Sequence, residues 1–310
     1  MEIRNLKTYI EVCEKNSFTK AAQQMGYTQS TVTGQIKQLE EELGVSLFDR
    51  NGKHIKLNAM GEELLTYANR IVALEEEAKD QFSDSVTPKG LLRVGVIESV
   101  GAFLLPDILR AYMQAYPLVN IWVRTGTTRE IQQMLCQNQI DLMLTLDDRV
   151  TSPDWICALE RNEEIVFLCS PGHPFALRQE VPLSEVVCEN MLLTERKCNY
   201  RQTYEQICNT HGFSQRSSLE IGSTNTILDF TQNNLGLSLL PAFTVQSRLA
   251  AGQLSTFSVK DVEIEMLVQL IYRKSKYCSP AMKAFINLAK ESICGSSFEQ
   301  SGVEESVSGS

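Results

Sequence analysis

The sequence predicts a multidomain α+β protein in three parts: a small helical unit ending in a hairpin, a long connecting helix, and a C-terminal α/β unit. Three observations carry that prediction. Residues 3–42 place apolar side chains at helical spacing in short runs, separated by capping residues and a glycine. Residues 58–86 contain no proline and no glycine beyond Gly61. From Leu91 onward, short apolar runs alternate with helical patterns.

The chain has 310 residues, 43% of them hydrophobic and 22% charged, enough for two or three packed units. It has no run of 18 apolar residues, so no membrane span is expected. The first residues, MEIRNLKTYIEVCEKNSF, lack an apolar core followed by a cleavage site, which predicts a cytoplasmic protein. The nine cysteines are scattered, with no C-x-x-C pair. That spacing suits small buried hydrophobes in a reducing compartment better than a zinc site or a disulfide framework. No metal and no cofactor is expected. The net charge of −9 is unevenly spread: residues 1–57 hold eight Lys or Arg against seven Asp or Glu. The acidic remainder should be repelled by nucleic acid, so any such contact falls to the N-terminal unit, strengthened by doubling.

In that unit, Ile3, Leu6, Ile10 and Cys13 predict an amphipathic helix over 3–14. Ser17 can cap a second helix over 18–25, where Ala21 and Ala22 allow close approach. Gly26 fits a left-handed turn. Thr28 can cap a third helix over 28–42, with Val32, Ile36, Leu39 and Leu43 as its buried stripe. Two helices joined by a short Gly-containing turn form the helix-turn-helix pattern. The third helix would expose Gln29, Ser30, Thr31, Thr33, Gln35 and Lys37, short polar groups for base edges and a cation for phosphate. Ser17, Phe18, Thr19 and Lys20, with Thr28, complete the candidate DNA face at the two helix starts. Leu47 and Phe48 serve as core anchors. Residues 50–57 read as a hairpin with Asn51-Gly52 at its tip, a wing whose Arg50, Lys53 and Lys56 can follow the phosphate backbone. The plainer alternative is a small helical domain with a solvated polar face.

The stretch from Phe18 to Leu65 resembles the N-terminal domain of LysR-type transcriptional regulators. The likeness runs without gaps from Ile3 to about Leu65. It rests on Phe18, Ala21-Ala22, Gln29, Ile36, Leu39-Glu40, Leu43-Gly44, Leu47-Phe48, Arg50, Leu57 and Gly61. The resemblance implies a winged helix-turn-helix over residues 1–58 that binds a double-stranded operator. This chain carries Ser30 where many members have Pro, and Gly34 where many have Arg, so the operator sequence does not transfer.

Between residues 59 and 90 lies the connecting helix and its hinge. Leu64, Ala68, Ile71, Leu74, Ala78 and Phe82 form an apolar seam at about 3.5-residue spacing. Such a helix is too long to bury one side on a ~57-residue domain, so pairing with a second copy is its natural use. A helix lying along its own chain is the alternative. The resemblance also implies dimerisation here, with dimers of dimers and contact with RNA polymerase as family possibilities. Thr87-Pro88-Lys89-Gly90 ends the helix.

Strands are predicted at 91–97, 120–125, 141–146, 164–170, 191–195, 218–222, 237–241 and 267–273, with helices over 100–115, 128–138 and 280–291 among them. Gly, Ser and Glu dominate 295–310, a predicted disordered tail. The ordered echoes RVGVIES, GTTREI, QIDLMLTL, SPGHPFA, CNYR and GLSLLP resemble the effector-binding part of the same family. That likeness implies the two-lobed α/β fold of type 2 periplasmic binding proteins over 91–294. Lobe I would hold 91–162 and 267–294, and lobe II 163–266.

Ligands of open α/β sheets bind beyond the carboxyl ends of strands. Ser99, Thr127, Thr128, Ser223 and Thr224 stand at such strand-to-helix junctions, offering hydroxyls and helix N-termini that suit a small anion. Plain capping is the alternative for each. Arg201 would either pair with the ligand or brace its helix. Cys198 and Cys208, spaced C-x9-C, raise a second possibility, since some family members sense peroxide through two cysteines in this region. A reactive thiol needs an electropositive, accessible site, which Lys197 and Arg201 could supply. No phosphate loop, nucleophile elbow or paired-His motif is present, so an enzyme is not expected. A transport module is disfavoured by the N-terminal helices and by the lack of an export signal. The expected function is a DNA-binding regulator switched by a small anionic effector between two lobes.

Overall fold

Short helices separated by left-handed residues begin the chain. The computed structural model describes residues 1–49, 56–81, 87–214 and 217–295, which divide near residue 87 into two units with separate cores. In the first unit, α1 (Ile3–Lys15) ends at Asn16, whose φ of 48° is left-handed. Next, α2 (Phe18–Met25) is capped by the Ser17 hydroxyl, which accepts from the Lys20 N–H, and Gly26 closes it at φ 68°. Then α3 (Gln29–Leu43) is capped by Thr28 and closed by Gly44. These caps satisfy backbone groups that a free helix end would orphan, so each short helix has defined ends.

Two buried stripes keep most of their predicted residues, lose one end residue each and gain polar members. On α1 the core side is Asn5, Leu6, Thr8, Tyr9 and Val12, while Ile3 is exposed. On α3 it is Val32, Gln35, Ile36 and Leu39, while Leu43 is exposed. Polar residues enter both stripes because they pair: the Thr8 hydroxyl donates to Gln35 Oε1 at 2.7 Å between the two helices. The apolar pattern therefore missed the middle of each face.

Strands β1 (Phe48–Asp49) and β2 (Lys56–Leu57) pair antiparallel, Phe48 opposite Leu57. These are the arms of the predicted wing; its tip, with Arg50 and Lys53, lies outside the described residues. The long helix α4 (Ala59–Gln81) follows. Its start is fixed by Asn58, which accepts from the Gly61 N–H at 2.9 Å and donates to Ser46 O at 2.8 Å. Tyr9 Oη donates to Gly61 O at 2.7 Å, joining α1 to α4. A side chain at Gly61 would place its Cβ 2.2 Å from Leu47 O, so only glycine fits this approach. Leu64, Ala68 and Val72 are buried in the unit's own core. The predicted seam thus splits. Its first residues pack inward, whereas Leu74 is exposed in one row with Met60 and Tyr67, two residues the predicted seam did not include. Phe82 lies outside the described residues.

The second unit is built on one mixed sheet. Parallel strands β3 (Gly90–Val96), β4 (Val119–Thr125) and β5 (Leu142–Asp147) lie in the order β4-β3-β5. Helices α5 (Glu98–Phe103) and α6 (Leu105–Ala115) link β3 to β4, and α7 (Thr128–Cys136) links β4 to β5. The single helix predicted over 100–115 is broken because Pro106 sits in the first turn of α6 and lacks an N–H to continue α5.

Strand β6 (Trp155–Cys169) is longer than predicted. Its charged middle, Glu160 to Glu164, masks the strand pattern. Arg161 bonds Glu163 and Ile293 O, and Glu163 accepts from Phe243 N, so these charges are paired rather than solvated. Further strands are β7 (Glu180–Val181), β8 (Met191–Leu193), β9 (Ser217–Glu220), β10 (Ser238–Pro241), β11 (Ser255–Val259) and β12 (Glu265–Arg273), with helices α8 (Leu183–Val186), α9 (Asn199–Thr210), α10 (Thr224–Gln232), α11 (Gln246–Ala250) and α12 (Pro280–Gly295). Neither β7 nor β11 was expected. Residues 155–164 of β6 pair with β12 across a bulge at Ala158, and from Ile165 onward β6 pairs with β10 and β11. β6 thus passes from one lobe into the other. Helix α12 returns to the first lobe, where Tyr112 Oη donates to Ala281 O at 2.9 Å. It includes residue 295; 296–310 lie outside the described residues.

Candidate functional site

Two candidate surfaces result, one in each unit. On the first, Gln29, Ser30, Thr31, Thr33, Gly34 and Lys37 are all exposed along α3. The Thr28 hydroxyl accepts from the Thr31 N–H at 3.2 Å and lies 2.8 Å from both the Ser30 and Thr31 hydroxyls. Thr33 bonds back to Gln29 O, and Lys37 reaches Glu41 one turn on. Thr19, Lys20 and Lys56 are also exposed. Two predicted members of this face turn inward. Gln35 is 9% exposed and bonded to Thr8. Phe18 is half-buried, its ring edge-on to Phe48 at 5.6 Å. Ser17 is half-buried and serves as the cap of α2.

The second surface is a cleft of about 580 Å³ in the C-terminal unit. Strand ends of lobe I contribute Glu98, Ser99, Thr127 and Thr128. Lobe II contributes residues 194–200, 220–222 and Thr224. Four of the five predicted hydroxyl residues therefore converge here. Ser223 does not line the cleft; its hydroxyl caps α10.

Several hydroxyl and amide groups of the cleft are already engaged. Thr127 N–H donates to Glu130 Oε2 at 2.9 Å while Glu130 N–H donates to the Thr127 hydroxyl at 3.3 Å, a reciprocal capping box at the start of α7. These bonds, the backbone one foremost, hold the Glu130 carboxyl below its ordinary value. Asn199 Nδ2 donates across the cleft to Thr128 Oγ1 at 3.2 Å, and Thr128 also meets the Thr145 hydroxyl at 3.1 Å. Beside them, burial raises the Asp147 carboxyl. At α10, Glu98 of lobe I accepts from the Thr224 N–H at 3.1 Å and from its hydroxyl at 2.5 Å.

Arg201 braces lobe II instead of facing a ligand. It is 3% exposed, does not line the cleft, and binds Glu205, Glu220 and the Thr194 carbonyl. Its hydrogen bond holds the Glu220 carboxyl low. Cys198 starts α9 at the cleft, whereas Cys208 is fully buried on its inner face. Burial pushes both thiols up, away from the reactive thiolate form. Among the described residues no group of three or more His, Cys, Asp or Glu is placed to hold a metal ion. No described helix is long and apolar enough to cross a membrane.

Residues 3–62 match the family model described as bacterial regulatory helix-turn-helix protein, lysR family, and residues 86–293 match the LysR substrate binding domain. The chain belongs to the LysR family. As a LysR-type protein it is a DNA-binding transcriptional regulator with an effector-binding domain, from a family whose members bind DNA, respond to small molecules and form oligomers. Among curated relatives, the uncharacterized HTH-type regulator YwqM of Bacillus subtilis is 34% identical over 295 residues, covering 94% of this chain and all of that protein. GltR of the same organism is 29% identical, covering 92% and 95%. Among solved structures, a full-length OxyR variant from Pseudomonas aeruginosa has a TM-score of 0.76 at 19% identity, covering 94% of this chain and 95% of that one. Full-length CbnR bound to its target DNA has a TM-score of 0.61 at 22% identity, covering 94% and 100%. These structures share the fold of this LysR-type regulator.

Apart from Lys197, sequence reasoning missed the cleft's charged lining: Glu98, Glu130, Glu195, Arg196 and Glu220. One signal was legible. Thr127-x-x-Glu130 is a capping-box spacing, so Glu130 was the natural partner of that hydroxyl.

Proposed function

We propose that α3 reads operator DNA through Gln29, Ser30 and Thr31, with Lys20, Lys37 and Lys56 set toward phosphates. The carrying observation is the exposed row of short polar side chains on the first turns of α3, behind the Gly26 turn. Such groups at a helix N-terminus reach base edges, while flexible cations position the duplex. In this reading Ser17 and Thr28 support the face as caps, and the cations Arg50 and Lys53, outside the described residues, add phosphate contacts.

The reading continues to assembly and control. The exposed row Met60, Tyr67 and Leu74, with Ile71 and Ala78 beside it, suits a two-helix seam with a second copy. Doubling compensates for a DNA unit of nearly neutral charge. A small molecule in the cleft would favour one arrangement of the lobes and so bias the paired DNA units. Dimers of dimers, contact with RNA polymerase, a cytoplasmic location and the absence of enzymatic activity belong to the same reading. The redox alternative is weaker, because Cys198 and Cys208 are both held protonated by burial.

Selection of binding sites from a random duplex pool by the full chain tests the DNA face. Gln29→Ala and Thr31→Ala should each weaken the selected site by ~1–3 kcal/mol and relax one base position. Lys37→Ala should weaken all sequences alike and lower the salt slope by about 1. Unchanged selection with both α3 variants would remove these residues from the reading face.

A further inference from the structure

Helices α1 and α3 meet with their polar residues in register. The Thr8 hydroxyl donates to Gln35 Oε1 at 2.7 Å. One turn back along α1 and one turn on along α3, Asn5 Nδ2 donates to Gln38 Oε1 at 3.3 Å. The two helices therefore run antiparallel at these rungs, and the matched spacing keeps both rungs on one side of each helix. Asn5 and Thr8 are fully buried and Gln35 nearly so. The same core holds the apolar residues Leu6, Tyr9 and Val12 of α1 and Val32, Ile36 and Leu39 of α3. Stability does not account for the rungs. Asn5 Oδ1 is buried without a hydrogen-bond partner among the described residues, which is a cost to folding. Apolar groups of the same shape can match or exceed a buried polar pair in stability. What they do not supply is direction. Apolar contacts tolerate small slides and rotations, whereas a hydrogen bond holds its partners to a short distance and a narrow angle.

We infer that the rungs Asn5–Gln38 and Thr8–Gln35 fix the rotation and axial position of α3 on α1, and that operator selectivity depends on them although Asn5, Thr8 and Gln35 face the core. One residue of helix corresponds to about 100° of rotation and about 1.5 Å of rise. A binding constellation has to be held within about 0.5 Å and 10–20° of its working geometry. Gln29, Ser30 and Thr31 stand on the same helix, one to two turns before Gln35. A small roll of α3 carries all three off their base edges together. Phosphate contacts from flexible lysines absorb the same displacement. Gln35 thus acts on DNA through the placement of α3 and not by touching it; Asn5, Thr8, Gln35 and Gln38 are positioning residues. This inference rests on α3 being the reading helix.

The test compares the full chain as wild type, Asn5→Leu, the double variant Thr8→Val with Gln35→Met, and Thr8→Ser. Affinity is measured for the selected duplex and for a scrambled duplex of equal length, at a temperature where each variant is fully folded by thermal unfolding. Asn5→Leu removes the unpaired buried carbonyl, and the exposed Gln38 side chain regains water. Its melting temperature should equal or exceed that of wild type. Its ratio of selected to scrambled affinity should nevertheless fall about tenfold, the size of one impaired base contact. Scrambled-duplex affinity and the salt slope should stay as in wild type. The double variant should show the same fall and serves if Asn5→Leu does not fold. Thr8→Ser keeps the donor and should keep the wild-type ratio. A merely structural role would move the melting temperature and leave the ratio alone. Wild-type ratios in both Asn5→Leu and the double variant, or an equal fall in Thr8→Ser, overturn the inference. So does a fall seen only in variants that melt lower. Gln29→Ala, measured alongside, separates the two claims. Selection weakened by Gln29→Ala but not by the rung variants removes the rungs and leaves the reading face intact; no effect of Gln29→Ala or Thr31→Ala removes the reading face itself.

Discussion

The two units cap their helices alike but expose the helix N-termini to different surroundings. In the N-terminal unit, α3 is capped by a neighbour in sequence, Thr28, and turns Gln29, Ser30 and Thr31 outward. In the C-terminal unit, α7 and α10 face a shared cleft, and α10, capped by Ser223, also receives a carboxylate from the other lobe. One surface is assembled from a few consecutive residues; the other needs the whole sheet to bring its parts together. The first can vary residue by residue as operators change. The second is coupled, because altering a lining group alters how the lobes meet.

That contrast is broken most strongly at Gly61. Alanine there places a Cβ against the Leu47 carbonyl and the Leu57 side chain. Backbone cannot yield as a flexible side-chain tip can, so the N-terminal unit should lose about 3 kcal/mol. Calorimetry of the full chain should show an early transition for that unit and an unmoved one for the C-terminal unit. A single shifted transition would mean that the two cores unfold together.

Arg201→Met comes next and strikes the other unit. It removes the buried guanidinium from Glu205, Glu220 and the Thr194 carbonyl, at a cost of roughly 2–3 kcal/mol because the carboxylates left behind can still reach water. The pH dependence should change with it. Arg201 lowers the Glu220 carboxyl in the folded state. The associated stability is complete above the ordinary carboxylate range and is lost as pH falls through the lowered value. Denaturation between pH 3 and 6 should therefore be steeper in wild type than in Arg201→Met; equal slopes would show that the pair contributes nothing.

How much of each unit was legible follows the same division. Ser17, Gly26 and Thr28 gave the helix ends of the N-terminal unit directly, since caps act over three or four residues. The burial of Gln35 was not legible, because its partner Thr8 is 27 residues away and a polar pair resembles a polar surface until the helices dock. In the C-terminal unit the apolar strands β3, β4, β5 and β10 stood out. The charged centre of β6 did not, because Glu163 is paired with Arg161 beside it and with Phe243 N far along the chain. For the cleft, the hydroxyls were visible at strand ends, while Glu98 was not, since its partner lies in the other lobe. Apolar periodicity reports which side of an element is buried. It does not report which polar groups are buried in pairs.

Gln35 allows a test at intermediate size. Replacing it with alanine leaves the buried Thr8 hydroxyl without its acceptor, and about 1–2 kcal/mol of stability should be lost. Gln29→Ala, on the exposed side of the same helix, should leave the melting temperature nearly unchanged while weakening DNA binding. If the two variants exchanged these effects, the inward placement of Gln35 would be wrong.

The smallest effect, at Gly34, has the opposite sign. This glycine lies inside α3 on its exposed side, and a Cβ there would meet nothing within 4 Å. Its backbone is not left-handed, so no turn requires it. Glycine at an interior helix position costs about 0.5–1 kcal/mol relative to alanine, chiefly through backbone entropy. Gly34→Ala should therefore raise the melting temperature of the N-terminal unit. The fold offers no reason to keep this cost, but the proposed reading face does: a helix without a side chain at that position can lie closer to a duplex. The expected result is a more stable protein that binds its selected site more weakly. Stabilisation with unchanged affinity would place Gly34 away from the DNA and limit the reading face to the residues on either side of it.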